Sequence, residues 1–391
     1  MSFDSHFSSI LGGSWPANEG EPELNDDDGY SAYMRGDMAS ARGALQLAAE
    51  RGVAEAQHNL GVMCLDGDGG SQDEVSALHW FRRAAEQGYA ISQYNLAWLL
   101  ERGIGTTQDE KQAVDWYRKA AGQGDADAQF HLGQMCADGR GTRQDFAGAV
   151  WCYRLAAEQG RPGGQRQLGW AYESGEGVEK DEALAVRWYR KSAEQGWADG
   201  QFSLGNMLND GVGVEENQEE AVKYFRAAAE QGHLDAQLNL GNAYADGRGI
   251  RRSKKDAIRW YLKAAEAGLA GAQHALGVLH CYGRGKPNYP EAIRWYHRAA
   301  AQGHAGAQNN LGIMCEAGRG LPVDLVAAYV WFSLGSVGTD TGATHNRDCC
   351  GEKMTPAQIA EAECRIQAFR PQLESMLGEV GVLWEGRRLD S

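Results

Sequence analysis

The sequence predicts an all-α fold of stacked helix pairs, and three recurring features predict it. A glycine recurs six times at a spacing of 36 residues and then once at 35, a leucine keeps step with it, and a G-x-G pair begins seven residues after each leucine. A period of this length is typical of a solenoid, in which each unit buries its faces against its neighbours. The glycines are Gly52, Gly88, Gly124, Gly160, Gly196, Gly232, Gly268 and Gly303, and the leucines are Leu60, Leu96, Leu132, Leu168, Leu204, Leu240, Leu276 and Leu311.

Within one unit the pattern predicts two helices. Residues 234–246 carry apolar residues at three- and four-residue spacing and predict the first, which we call helix A. Residues 255–267 predict the second, helix B, with Trp260 in its buried stripe. Gly247 and Gly268 follow these helices, and glycine readily adopts the left-handed conformation that ends a helix. The helical phase of the tryptophan column predicts core residues and not a binding strip; the column is Trp80, Trp116, Trp188, Trp260, Trp295 and Trp331.

Composition and charge narrow the class of protein. The chain has 391 residues, 43% hydrophobic and 23% charged, which is the composition of a soluble folded protein. Its formal charge of −15 makes it a poor candidate for binding nucleic acid or an anionic membrane. It contains no apolar run of membrane-spanning length and no basic start of a secretory signal, so we expect a cytoplasmic protein without membrane insertion.

The sequence contains no motif that predicts catalysis or metal binding. The G-x-G pairs follow helices and not strands, which excludes a dinucleotide fingerprint. The segment at 283–287 lacks the residues of a phosphate loop, and His345, Cys349, Cys350 and Cys364 lack zinc-site spacing. The eight cysteines do not recur in pairs, which argues against a disulfide framework. We therefore expect no catalytic residues, no cofactor and no metal.

The pattern AxxxLGxxYxxGxGxxxDxxxAxxWYxKAAEQG resembles the Sel1-like repeat, a relative of the tetratricopeptide repeat, over about eight units at residues 53–338. The resemblance implies a right-handed superhelical solenoid of helix-turn-helix repeats. Residues 29–52 resemble an N-terminal capping helix pair, and residues 339–378 resemble a C-terminal capping helical segment. We expect residues 1–28, which hold seven acidic residues and no Lys or Arg, to be a disordered tail, and residues 379–391 to be a flexible one.

Local features refine this organisation. Thr355, Pro356 and Gln358 have the spacing of a capping box with proline at the first helical position, and predict the start of a helix. Two repeats depart from the pattern. Ala97 replaces the glycine that usually follows the column leucine, and Trp151 stands one residue early, with Cys152 in the tryptophan column. We expect these departures to loosen an interface without changing the fold.

The candidate binding site is the concave groove, which in tetratricopeptide-like solenoids is lined by helix A. Beside each column leucine, the sequence places a ladder of amides with aromatic neighbours. Such side chains suit an extended or helical peptide, because amides both donate and accept hydrogen bonds and aromatic rings hold apolar side chains. The alternative is that the amides hydrogen-bond the neighbouring helix. The candidates are Asn59, Tyr94, Asn95, Trp98, Phe130, His131, Gln167, Trp170, Phe202, Asn206, Asn239, Asn242 and Asn310.

The resemblance implies a function, since proteins with this repeat act mostly as adaptors or scaffolds, often in bacteria. We expect a monomeric, non-enzymatic scaffold that binds a protein or peptide and no nucleic acid. Two alternatives stay open: a subunit that regulates an enzyme or signalling protein, and a β-lactam-binding or β-lactam-hydrolysing enzyme like some cysteine-rich members. Two further segments have open roles. The apolar residues before residue 16 indicate a docking peptide or a simple terminus, and the basic residues at 251–255 indicate a solvated loop.

Overall fold

The structure is a computed structural model that describes residues 32–283, 285–336 and 341–381, with side chains described as far as residue 368. Every regular element in these ranges is helical. A helical turn at residues 32–34 precedes the first long helix. The helices are α1 Met38–Glu50, α2 Ala54–Asp66, α3 Glu74–Glu86, α4 Ala90–Arg102, α5 Glu110–Gly122, α6 Ala126–Asp138, α7 Phe146–Glu158, α8 Pro162–Ser174, α9 Glu182–Glu194, α10 Ala198–Asp210, α11 Gln218–Glu230, α12 Leu234–Asp246, α13 Lys254–Glu266, α14 Ala270–Tyr282, α15 Tyr289–Ala301, α16 Ala305–Ala317, α17 Leu325–Gly335, α18 Thr341–Gly351 and α19 Pro356–Gly381.

Each repeat is a hairpin of helix A (α2 and the even-numbered helices to α16) and helix B (α3 and the odd-numbered helices to α17). The predicted helix at 234–246 is confirmed as α12, and the helix predicted at 255–267 begins one residue earlier, at Lys254. Gly247 ends α12 in the left-handed conformation, with φ 81° and ψ 30°. Helix B begins at a side chain that accepts a hydrogen bond from the first turn, as Ser253 does for α13.

In five repeats, the second glycine of the G-x-G pair allows a close approach to the preceding helix pair. Gly249 has φ 63°, and a Cβ atom there would overlap the carbonyl oxygen of Gln218 in the first turn of α11. Gly69, Gly105, Gly141 and Gly213 approach the first turn of the preceding B-type helix in the same way. The loop of one repeat therefore rests on the helix N-terminus of the repeat before it. A side chain at this glycine would separate the two.

Two aromatic columns of helix B fill different spaces. The ring of Tyr261 lies against Gly241 of its own hairpin, where a Cβ atom would overlap it, so Tyr261 packs within the repeat. Trp260 belongs instead to an apolar cluster that includes Leu240 of its own hairpin and Phe225 of the hairpin before it. The prediction that the tryptophans are core residues is confirmed for Trp80, Trp260 and Trp295; the other members, Trp116, Trp188 and Trp331, are half-buried.

The chain divides into two compact units, residues 1–156 and 157–391. In unit 1, helix α1 packs against α2, the contact expected of an N-terminal cap. In unit 2, α17 packs against both α18 and α19, and these helices cover the last repeat. The capping box at the start of α19 is confirmed, since Thr355 Oγ1 accepts from Gln358 N at 3.3 Å and Gln358 Oε1 accepts from Thr355 N at 2.9 Å.

The predicted terminal tails lie largely beyond what the structure covers. Residues 1–28 fall outside the described residues, as do residues 382–391. Residues 379–381 form the end of α19.

Candidate partner-binding groove

The candidate residues lie on one face of the A helices, beside the column leucines. The leucines themselves are buried, from Leu60 in α2 to Leu311 in α16. Of the thirteen candidates, Tyr94 and Asn95 are buried and the other eleven are half-buried. A helix that packs on two sides leaves this strip as its least covered face. Apart from Tyr94 and Asn95, the strip therefore holds polar and aromatic groups that are partly accessible.

A second polar column in helix A is structural, and we did not identify it from the sequence. A buried glutamine three residues before each column leucine donates from Nε2 to a carbonyl oxygen near the end of the preceding B-type helix, at 3.0–3.4 Å. In five repeats its Oε1 accepts in turn from a glutamine at the end of helix B of the same hairpin, for example Gln231 Nε2 to Gln201 Oε1 at 2.9 Å. The signal was present, because the glutamine occurs in all eight copies: Gln57, Gln93, Gln129, Gln165, Gln201, Gln237, Gln273 and Gln308.

Several candidate amides in unit 2 are bound to other side chains of the protein. Asn239 Nδ2 donates to Asn206 Oδ1 at 3.1 Å, between adjacent A helices. Asn242 Oδ1 accepts from the Tyr261 hydroxyl at 2.7 Å. Asn310 Nδ2 lies 3.0 Å from His274 Nε2. At these positions the amides do what the structural alternative describes, although an amide that makes one hydrogen bond still has capacity for others.

The remaining candidates of unit 2 are one amide and two aromatic residues. Gln167 Oε1 accepts from Arg166 Nη1 at 2.6 Å. The Phe202 ring stacks on His233, with centroids 4.4 Å apart. Trp170 is half-buried in the same strip. These groups give the strip of unit 2 a mixed apolar and polar character.

The candidate site in unit 1 contains an aromatic cluster. His131 stacks on Tyr117, with ring centroids 5.5 Å apart and an interplanar angle of 7°, and Tyr94 lies 5.7 Å from His131. Phe130 lies 6.2 Å from Tyr153. Trp98 is half-buried, and the guanidinium of Arg102 lies 4.5 Å from its ring centroid, within the range of a cation–π contact. Asn59 is half-buried on the neighbouring helix α2.

Asn95 differs from the other candidate amides. It is only 1% exposed, and neither Nδ2 nor Oδ1 has a hydrogen-bond partner among the described residues. The reason lies one repeat earlier. Asn239 donates a hydrogen bond to Asn206, which lies 33 residues earlier in the sequence. The residue 33 positions before Asn95 is Val62, which has no polar group in its side chain.

Two ionisable side chains of unit 1, Glu101 and His58, have pKa values shifted by their surroundings. Glu101 accepts from the Tyr117 hydroxyl and from Arg140, both at 2.8 Å. Burial opposes ionisation of Glu101, but these hydrogen bonds outweigh it and hold its pKa below the usual value. Burial lowers the pKa of His58 to about 4, and its Nδ1 lies 2.9 Å from Ser92 Oγ. These contacts join α4 to the helices on either side of it.

Two features outside the strip were also singled out by the sequence. The basic loop borders a cavity of about 190 Å³ lined by Ala245, Arg252, Lys254 and Leu279. Near the C-terminus, Cys349 Sγ lies 3.6 Å from His345 Nε2. All eight cysteines are free thiols. Within the described ranges, no three His, Cys, Asp or Glu side chains gather as a metal site, and no helix is long and apolar enough to cross a membrane.

Comparison with protein families gives one match. The model of the Sel1 repeat matches residues 54–89, 90–125, 126–160, 162–197, 198–233, 234–269, 270–304 and 305–336. No curated protein matches the chain.

Solved structures give similar folds. One is a protective antigen present in uropathogenic Escherichia coli strains and displaying an SLR fold; it is 28% identical, with a TM-score of 0.55, over 90% of this chain and 99% of its own. Another is a Sel1 repeat protein from Oxalobacter formigenes, 30% identical with a TM-score of 0.58, over 62% of this chain and 97% of its own.

Proposed function

The chain belongs to the Sel1 repeat family, and we propose that it is a non-enzymatic scaffold that binds a partner protein or peptide along the strip of helix A. Sel1 repeat proteins mediate protein interactions. One observation carries the proposal for this chain: apart from Tyr94 and Asn95, the amides and aromatic rings beside the column leucines stay half-buried, while the leucines are buried. Aromatic side chains and amides that are partly accessible are the groups that anchor peptides at protein interfaces.

A cytoplasmic location and a monomeric state are part of the proposal. The eight free thiols support the location, because thiols persist in a reducing compartment and pair in an oxidising one. Cell fractionation tests the location. Sedimentation of the purified chain tests the monomeric state, and a dimer at micromolar concentration would contradict it.

The experiment that tests the scaffold is a capture of partners from the native organism's lysate, read by mass spectrometry. The groove variant carries Trp170→Ala, Asn206→Ala and Asn242→Ala together. The matched control carries three alanines at exposed helix B positions of the same unit, Arg187, Lys223 and Arg259. A separate melting curve of each variant shows whether it is folded.

We expect wild type and control to enrich the same protein and the groove variant to lose it. A folded groove variant that keeps every partner would contradict the proposal for this part of the strip.

A further inference from the structure

We propose that Asn95 is the point at which unit 1 takes a main-chain amide group of its partner, with a large apolar side chain of the partner packed beside it. This inference rests on the proposed function and specifies it. It concerns the concave strip of α4, in which Asn95 lies between Ile91 and Trp98.

The unpaired amide of Asn95 costs free energy. Leaving a buried donor and acceptor without partners forfeits the hydrogen bonds that both made to water in the unfolded chain. Native proteins leave few such groups, and each needs a physical explanation. The fold itself does not require an amide here, because the neighbouring repeat position is Val62 and an apolar residue would pack against it. The paired amides Asn206 and Asn239 show how the same two positions are satisfied when both are polar.

The two polar atoms of Asn95 determine which chemical group can pair with it. Asn95 offers one NH₂ donor and one carbonyl acceptor, and both need a partner. A carboxylate would leave Oδ1 unpaired, and an ammonium group would leave Nδ2 unpaired. Both would also carry a charge into a buried position. A neutral peptide group satisfies both atoms, with its C=O accepting from Nδ2 and its N–H donating to Oδ1. A nucleic-acid base offers a similar pair, but the chain's charge of −15 disfavours that ligand.

Apolar side chains lie on either side of Asn95 along α4. Residues three and four apart lie on one face of a helix, so Ile91 and Trp98 flank Asn95. Ile91 is 40% exposed. Trp98 is half-buried, with Arg102 over its ring at 4.5 Å. Because Asn95 is only 1% exposed, a peptide that places its amide there has to move the side chains that cover it, and its own apolar side chain then covers Ile91.

The probe that tests the inference is N-acetyl-leucine N-methylamide, which carries two peptide groups and one apolar side chain. We expect it to shift the side-chain NH₂ resonances of Asn95 in ¹⁵N-labelled full-length protein. The Asn95→Leu variant assigns those resonances by their loss. The matched reference is Asn239, whose amide donor is already used. N-acetyl-leucine methyl ester, which replaces one amide by an ester, should shift Asn95 at least tenfold less at equal concentration.

Two variants, Asn95→Leu and Val62→Asn, separate binding of the probe from the stability of the fold. Asn95→Leu should melt no lower than wild type, because it removes an unpaired polar group, and its neighbours should lose the response to the probe. Val62→Asn should supply the missing partner, raise the melting temperature and weaken the response to the probe. Asn95→Leu melting well below wild type would overturn the inference, because it would mean that the amide is already paired, through an internal water.

The probe experiment at Asn95 and the capture experiment test the two proposals separately. If the probe leaves Asn95 unshifted, or shifts Asn239 equally, the inference at Asn95 is wrong. The capture experiment with the groove variant of unit 2 does not involve Asn95, so its outcome stands by itself.

Discussion

Ala267 stands where a glutamine would complete the hydrogen bonds of Gln237. Gln237 Nε2 donates to the carbonyl of Ala229 at 3.1 Å, but its Oε1 is buried and has no partner among the described residues. In other repeats this oxygen accepts from a glutamine at the end of the following helix B, as Gln201 does from Gln231. The position equivalent to Gln231 is Ala267, whose methyl group cannot donate.

Ala267→Gln should therefore stabilise the protein. The new Nε2 would donate to Gln237 Oε1, and a hydrogen bond to a buried, unpaired group contributes about 0.5–1.5 kcal/mol. Helix propensity changes little between these residues at a helix end. Urea unfolding followed by circular dichroism measures the gain. Gln231→Ala is the matched control and should lose a similar amount, because it leaves Gln201 Oε1 unpaired. If Ala267→Gln has no effect, Gln237 Oε1 is satisfied by water.

Gly249→Ala should destabilise the protein more than Gly268→Ala. Both glycines have positive φ, 63° and 102°, so alanine strains the backbone at either position by about 1–2 kcal/mol. The two positions differ in the space available to the new methyl group. The new methyl group at Gly249 would overlap the Gln218 carbonyl, whereas nothing lies within 4 Å of the equivalent point at Gly268.

Unfolding midpoints of the two variants measure the difference, which we expect to exceed about 1 kcal/mol, because overpacking adds to the strain only at Gly249. Equal midpoints would show that the loop can lift away from α11 at no cost.

Stability should fall as the pH drops from about 6.5 to about 4, and part of the loss should come from His58. Burial lowers the pKa of folded His58 to about 4, from an ordinary value of 6.5. Between these values the unfolded chain binds a proton that the folded chain does not, so acid favours unfolding. At 1.36 kcal/mol per pKa unit, this single group contributes about 3 kcal/mol to the loss.

His58→Phe should flatten this pH dependence. Phenylalanine occupies the equivalent position at Phe130 and Phe202, so the packing is tolerated. The variant also removes the hydrogen-bond partner of Ser92, which lowers stability at every pH, so the quantity to compare is the slope and not the absolute value. Urea midpoints between pH 4 and pH 8 give it. An unchanged slope would mean that His274, whose pKa burial and His304 also lower to about 4, dominates the acid response.

The sequence predicted the helices well because glycine positions determine where they end. Gly247 and Gly268 lie within two residues of the ends of α12 and α13. The Thr355–Gln358 capping box was identified from a segment of four residues. The state of the candidate amides could not be predicted in the same way. Asn239 is paired because the residue 33 positions earlier is Asn206, whereas the residue 33 positions before Asn95 is Val62, which has no polar group. A list of positions within one repeat does not contain that information.

The tryptophan of α7, Trp151, lies outside the core. Trp151 is 62% exposed, whereas Cys152, in the tryptophan column, is 3% exposed. The indole has therefore left the core, and a thiol fills the column. Trp151→Ala should change the free energy of unfolding by no more than about 0.5 kcal/mol, as is usual for surface positions. Trp260→Ala should cost about 3–5 kcal/mol, because Trp260 is buried between repeats and leaves a cavity.

Acrylamide quenching gives an independent measurement of the same difference. Trp151→Ala should remove a readily quenched component of the fluorescence, and Trp260→Ala should remove a protected one, because quenching by a polar solute requires exposure. If the two variants lose similar stability, the Trp151 ring packs against the protein more closely than its exposure indicates. In that case the departure at Cys152 would reshape an interface of the solenoid instead of leaving a side chain in solvent.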